Sequence, residues 1–311
     1  MSRIHDALKR AQQDRSIYEG IGVEDVEAPV AMPATGPIPV TPASDAVRSH
    51  TLPPVSPASE PIAVETLLAS CPPTTWLPDT KTMLFFDTEE HVHGAEQFRT
   101  LRSQLYQFRE RQPLRKILVA SSVPREGRSF VAANLAQVMA RQPGCRALLI
   151  DADLRNPRLH LALGTSPSPG LSEYLLSETE ELGIIQNGQM KNLFFVASGR
   201  PVSGQTEIVS NGRLKLLLDR LEPLFDWIII DSPAAIPVSD AGLIANFCDG
   251  VLMVVRSNST PFDIVRKAQQ KFNDERVLGV VLNGIPSEID PQTQHYFRTS
   301  GPLSGQKEAQ G

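Results

Sequence analysis

The chain has 311 residues and a net charge of −5, with 41% of its residues hydrophobic and 21% charged. That balance leaves no basic footprint for nucleic acid, and no apolar run approaches the roughly 18 residues that a membrane span needs. Cys71, Cys145 and Cys248 are odd in number and widely spaced, fitting neither a disulfide framework nor a zinc site but suiting a reducing cytoplasm.

In chain order, residues 1–16 are expected to form a short helix, because Ile4, Ala7, Leu8 and Ala11 recur at helical spacing. A lone helix of that length is marginal in water, so it either orders against a partner or frays. Arg3, Lys9 and Arg10 precede no apolar stretch, so no secretory signal is expected. Residues 17–85 read as a Pro-rich disordered linker: twelve of the 26 prolines fall in 21–80, and aromatic residues are sparse. Residues 86–285 are enough for one well-packed domain, and the polar, Gly- and Pro-containing stretch 286–311 reads as a disordered tail.

Within 86–285, apolar strand-like runs alternate with helical ones. Strands are expected at Lys116–Ser122, Ala147–Asp151, Asn192–Ala197, Trp227–Asp231, Val251–Arg256 and Val277–Asn283, and helices at Ser129–Arg141, Glu207–Glu222 and Pro261–Phe272. The pattern predicts an α/β fold, a mostly parallel sheet with helices on both faces. Ligands of such sheets bind at the carboxyl ends of the strands.

Three of those ends carry chemistry. The first strand runs into Ser121-Ser122-Val123-Pro124-Arg125-Glu126-Gly127-Arg128-Ser129 and a helix opens at once, the layout of a phosphate cradle. The usual first glycine is missing, however, and Arg128 stands where the phosphate-binding lysine belongs. The second strand ends in Asp151-Ala152-Asp153, whose alternation puts both carboxylates on one side of the chain. The third ends in Ile230-Asp231-Ser232, an apolar strand delivering one carboxylate. Each alone also fits a plain strand-to-helix turn or a solvated or capping strand end; together they bring a phosphate loop and three carboxylates to one rim.

This triple set resembles the Walker A, A′ and B motifs of bacterial tyrosine kinases, P-loop NTPases of the deviant-Walker type related to MinD and ParA. The resemblance covers about 96–285. It takes in Asn156-Pro157, Leu159-His160, the stretch Gly170–Leu175, the Leu282-Asn283 strand end and a Glu96–Arg102 helix similar to the family's oligomerisation helix. The opening Met1–Leu8 also looks like that of stand-alone members encoded near exopolysaccharide loci.

The resemblance implies ATP and Mg²⁺ as cofactors and transfer of the γ-phosphate to tyrosine. It assigns Pro124, Arg125, Glu126, Gly127, Arg128, Ser129 and Phe130 to the nucleotide, with Asn283 reading the adenine edge. Ser129, Asp153 and Asp231 would hold the metal. Asp151, Asp153 and Arg128 would be catalytic, Asp151 accepting the proton of the attacking tyrosine. Glu96, Arg99 and Arg102 would join copies of the chain; read without the family, they are a solvated face with an internal ion pair. The implied setting is cytoplasmic, peripheral to the inner membrane through a membrane-embedded polysaccharide co-polymerase, in regulation of exopolysaccharide or capsule export.

Two departures qualify this. Arg128 keeps the charge of the missing lysine but presents a planar fork instead of a compact ammonium. The family's C-terminal tyrosine cluster is reduced to Tyr296 as a possible phospho-acceptor. A MinD/ParA-like ATPase switch and a catalytically weakened nucleotide-binding scaffold therefore stand as alternatives. Tyr106 is expected to pack, and His160 to close the turn after the Asp pair.

Overall fold

The computed structural model describes residues 61–86 and 94–285. The helix expected over 1–16, most of the expected linker, the tail 286–311 and Tyr296 lie outside these residues. The elements are α1 (Val64–Ser70), α2 (Ala95–Arg109), β1 (Lys116–Ser121), α3 (Arg128–Ala140), β2 (Ala147–Asp151), α4 (Leu159–Leu163) and α5 (Leu171–Leu175). After them come β3 (Ile185–Asn187), β4 (Leu193–Val196), α6 (Gln205–Ser210), α7 (Arg213–Leu221), β5 (Trp227–Asp231), α8 (Asp240–Ala245), β6 (Gly250–Arg256), α9 (Phe262–Gln269) and β7 (Val277–Asn283).

The seven strands form one sheet in the order β3-β4-β2-β5-β1-β6-β7. All neighbours are parallel except β3, which pairs antiparallel with β4. Period-two alternation sorts the strand residues between two apolar layers. Leu118, Leu148, Ile150, Ile228 and Ile230 face a layer closed by α5, α7, α8 and α9. Ile117, Val119, Leu149, Trp227 and Ile229 face one closed by α2 and α3. Because both faces are covered, the strands are continuous apolar runs and not alternating ones. Register places Asp151 of β2 directly beside Asp231 of β5, and Val119 of β1 beside Asp231. The three carboxyl ends therefore meet at the middle of the sheet.

Three expectations change. The helix expected over Glu207–Glu222 is two helices. Gly212 sits at φ 83°, and the Asn211 side chain accepts the Arg213 N–H at 2.9 Å, so one helix stops and another starts there. Strand β3 is three residues long, too short for a periodicity to show.

The third change is at the linker, whose last part belongs to the folded domain. Leu67 and Cys71 are buried in the first apolar layer, and Trp76, Met83, Leu84 and Phe85 in the second. Residues 61–86 thus form a strap around the β3 edge of the sheet, where the Thr74 N–H donates to the Asn187 carbonyl at 2.8 Å. The strap ends on α3. Asn134 accepts the Leu84 N–H at 2.8 Å and donates to the Thr82 carbonyl at 2.8 Å; Gln137 accepts the Phe85 N–H at 3.2 Å. Proline content hid this segment. Its few apolar residues are large and its backbone is held by side-chain amides, neither of which depends on periodicity.

Candidate functional site

The loop between β1 and α3 is held open from behind. Glu126 is buried; one of its carboxylate oxygens accepts the Val123 N–H at 2.9 Å, and the other accepts the Thr260 hydroxyl at 2.6 Å and the Arg256 N–H at 3.4 Å. The Asn283 amide, at the end of β7, donates to the Glu126 carbonyl at 2.9 Å. Arg125 and Gly127 both take left-handed backbone, at φ 71° and 90°. A side chain on Gly127 would collide with the Asn283 amide nitrogen, at 1.9 Å. Glycine here lets the loop lie against β7 while α3 starts at Arg128.

In front of the loop is a cavity of about 660 Å³ lined by Pro124, Gly127, Ser129, Phe130, Asp153 and Asn156, among others. Four arginines (125, 128, 155 and 158) also line it, and among the described residues Asp153 is the carboxylate that does so. This excess of positive charge at a helix N-terminus suits a polyanion.

Arg128 lines the cavity with its guanidinium committed to the strand ends. Its guanidinium turns back between the strand ends, Nε donating to Asp231 Oδ1 at 2.5 Å and an Nη to Asp153 Oδ2 at 2.8 Å. The side chains of Arg128 and Asp153 are 10% and 9% exposed, that of Asp231 1%. Asp153 also accepts the N–H groups of Arg155 at 3.2 Å and Asn156 at 3.0 Å, which fixes the turn leaving β2. Burial pushes the Asp231 carboxyl up, against the pull of Arg128 and of the Ser129 hydroxyl beside it. The two carboxylates outweigh the opposing effect of burial on Arg128 and hold its guanidinium more firmly charged.

The remaining residues fall into place differently from the sequence expectation. Asp151 does not face the cavity: it is fully buried, and its carboxylate accepts the N–H groups of Asp153 (3.2 Å), Arg158 (3.2 Å) and Leu159 (3.1 Å). It caps α4 and shapes the turn. Burial, with Asp231 and Asp153 close by, raises its carboxyl to about 8. Asn283 likewise lies behind the loop and outside the cavity lining. Glu126 is a brace, and the groups it holds leave its carboxylate turned away from the cavity.

Some contributors were not read from the sequence. Arg155 pairs with Asp240 at the start of α8, at 2.8 Å, and donates to the Thr206 hydroxyl at 2.9 Å; that hydroxyl donates to Asp240 at 2.6 Å. Arg256, the last residue of β6, and Thr260, in the turn after it, tie the loop to that strand. A signal for the first set was present: Arg155 follows the Asp pair closely and Asp240 opens a helix.

On α2, Glu96 and Arg99 are paired with each other at 3.0 Å on the surface. Arg102 instead donates to the Val138 carbonyl at 3.1 Å, satisfying the last turn of α3 within its own chain. The three are not one equivalent exposed face. Tyr106 packs edge-on against Trp227 and accepts its indole N–H at 3.2 Å, as expected for a packing residue.

No protein-family model matches the chain. It is 32% identical over 199 residues to the tyrosine-protein kinase YwqD of Bacillus subtilis (strain 168), a match that spans 63% of this chain and 84% of the relative. It is 34% identical over 194 residues to the succinoglycan biosynthesis transport protein ExoP of Rhizobium meliloti (strain 1021), covering 61% of this chain but 25% of that much longer protein. The crystal structure of the chimerical protein CapA2B2 superposes with a TM-score of 0.62 and 29% identity, covering 72% of this chain and 98% of that one.

Proposed function

Because the chain belongs to the bacterial tyrosine-protein kinases, we propose that it binds ATP in the crevice above β1, β2 and β5 and transfers the γ-phosphate to tyrosine, as a regulator of exopolysaccharide synthesis and export. The observation that carries this reading is the 121–129 loop and Asp153 lining one arginine-rich cavity, with Asp231 joined to them through Arg128.

The donor set fits a divalent cation: two carboxylates and a hydroxyl are hard oxygen ligands. Asp153, Asp231 and Ser129 would hold Mg²⁺. The ion would neutralise charge on the transferring phosphoryl group. The N–H groups at the start of α3 and the guanidinium groups of Arg125 and Arg158 orient the phosphates. The bond from the γ-phosphorus to its bridging oxygen breaks, the tyrosine oxygen bonds to phosphorus, and ADP leaves. The transition state is loose, so positioning matters more than a strong base. The phenolic proton leaves to solvent through the open crevice; Asp151, sealed under the turn, holds that turn in shape.

The setting is carried over from the relatives. Among the described residues no helix is long and apolar enough to cross a membrane. ExoP is named as a succinoglycan biosynthesis transport protein; on that likeness and the family resemblance, this chain is read as docking on a membrane-embedded co-polymerase. Copies of the chain are read as meeting through Glu96 and Arg99 on α2.

A second reading has one observation in its favour: the guanidinium lock on Asp153 and Asp231 is the arrangement of a scaffold that has given up catalysis. The two part on a direct assay. The full chain incubated with labelled MgATP should accumulate phosphotyrosine, on itself or on its partner, and Asp231→Ala should lose it. Magnesium-dependent ATP binding without phosphotyrosine would leave the scaffold. Absence of ATP binding at millimolar concentration would sink both nucleotide readings.

A further inference from the structure

The Arg128 guanidinium sits in the seat between two neighbouring strand ends. The seat is rich in oxygen: Asp153, Asp231 and the Ser129 hydroxyl beside it. Such a seat would draw a free divalent cation on its own. Here a planar fork satisfies one oxygen of each carboxylate, through Nε in one direction and an Nη in another, at 2.5 and 2.8 Å. A lysine ammonium, a point charge on a straight stem, cannot reproduce that two-directional grip.

We propose that Arg128 is the resident counter-ion of the metal seat: it keeps a free divalent cation off Asp153 and Asp231 until nucleotide phosphates draw the guanidinium away, so that metal enters with the nucleotide and not before it. The inference rests on the reading of the crevice as a MgATP site. Charge supports the exchange. Two carboxylates carry −2 against the single positive charge of Arg128, and a divalent cation completes what the guanidinium leaves half neutralised. Phosphate oxygens in turn accept the same bidentate fork that carboxylates do, so the guanidinium leaves one set of oxygens for another. Arg125 and Arg158, which line the same cavity, attract those phosphates.

The test uses the full chain and Mn²⁺ alone as the probe, followed by electron paramagnetic resonance, with and without ATP. Without nucleotide the natural protein should leave Mn²⁺ free, and with ATP it should take up the ion. Arg128→Met should bind Mn²⁺ without nucleotide at least about tenfold more tightly than the natural protein, the gain expected when the competent conformer is no longer a minor one. Arg128→Lys should fall between them, and adding Asp231→Asn to Arg128→Met should remove the gain. Circular dichroism reports folding; should Arg128→Met not fold, Arg128→Lys carries the comparison. Nucleotide-independent uptake by the natural protein as tight as in the folded variants overturns the proposal, as does a folded variant that takes up none. A natural protein that takes up no Mn²⁺ even with ATP, while a variant does so alone, upholds the place of Arg128 and overturns the MgATP reading instead.

Discussion

Asn283 shows how a residue type can be legible while its job is not. The family resemblance implies contact with a base, yet the Asn283 amide donates to the Glu126 carbonyl and ties the residue to the loop. Asn283→Ala should therefore weaken ATP and GTP by the same factor, about fivefold for one lost hydrogen bond, and competition binding with the two nucleotides reads this directly. A selective loss of ATP would return Asn283 to the base. Asp151 carries a pH signature of definite sign. Its carboxyl is raised to about 8 in the folded protein from an ordinary value near 4 when unfolded. Between those values the folded chain holds a proton that the unfolded chain lacks, so this group's contribution is full at low pH and is lost as pH rises through that window. Denaturant titrations from pH 4 to 8 should show a shallower decline for Asp151→Asn than for the natural protein.

Among the elements, the strap changes what counts as the domain. Trp76 is 1% exposed, lies edge-on to Phe195 with ring centroids 6.2 Å apart, and covers Gly188, where a side chain would come within 2.5 Å of the indole. Trp76→Ala should destabilise the whole domain by about 3–5 kcal/mol, measured as a lower urea midpoint with a single transition. A separate early transition would mean that the strap folds apart. Strands β2 and β5 could be read from the sequence to the residue, because a strand buried on both faces is an uninterrupted apolar run; the half-buried edge strand β7 was bounded as well by its apolar run. The carboxylates at the ends of β2 and β5 were equally legible, since a charge directly after such a run marks the point where the strand leaves the core. The strap was not, for its anchors are Asn134 and Gln137, two polar residues midway along a helix buried nearly all round. Their burial was the available sign that something other than a strand had to satisfy them. The turn of Arg128 toward Asp153 and Asp231 was also out of reach: side-chain direction depends on register between strands far apart in the chain.

For the molecule as a whole, the assembly proposed for α2 can be told apart from stability. Glu96 and Arg99 touch each other on the surface, whereas Arg102 closes the end of α3. Reversing Glu96 to Arg should lower the sedimenting mass without moving the melting temperature. Arg102→Ala should lower the melting temperature by a few degrees, the effect of about 1 kcal/mol in a domain of this size. Equal changes in both quantities for both variants would merge the two roles. The strap has a mechanical side as well. It crosses the sheet edge from one apolar layer to the other and is made fast on the helix that the 121–129 loop leads into. A pull on the chain at residue 61 is borne first by α1, then in shear along β3, and last by Asn134 and Gln137 on α3. Tension from whatever lies upstream therefore follows a load path ending about two turns from Arg128, and the crevice proposed for the nucleotide is the far end of that tether.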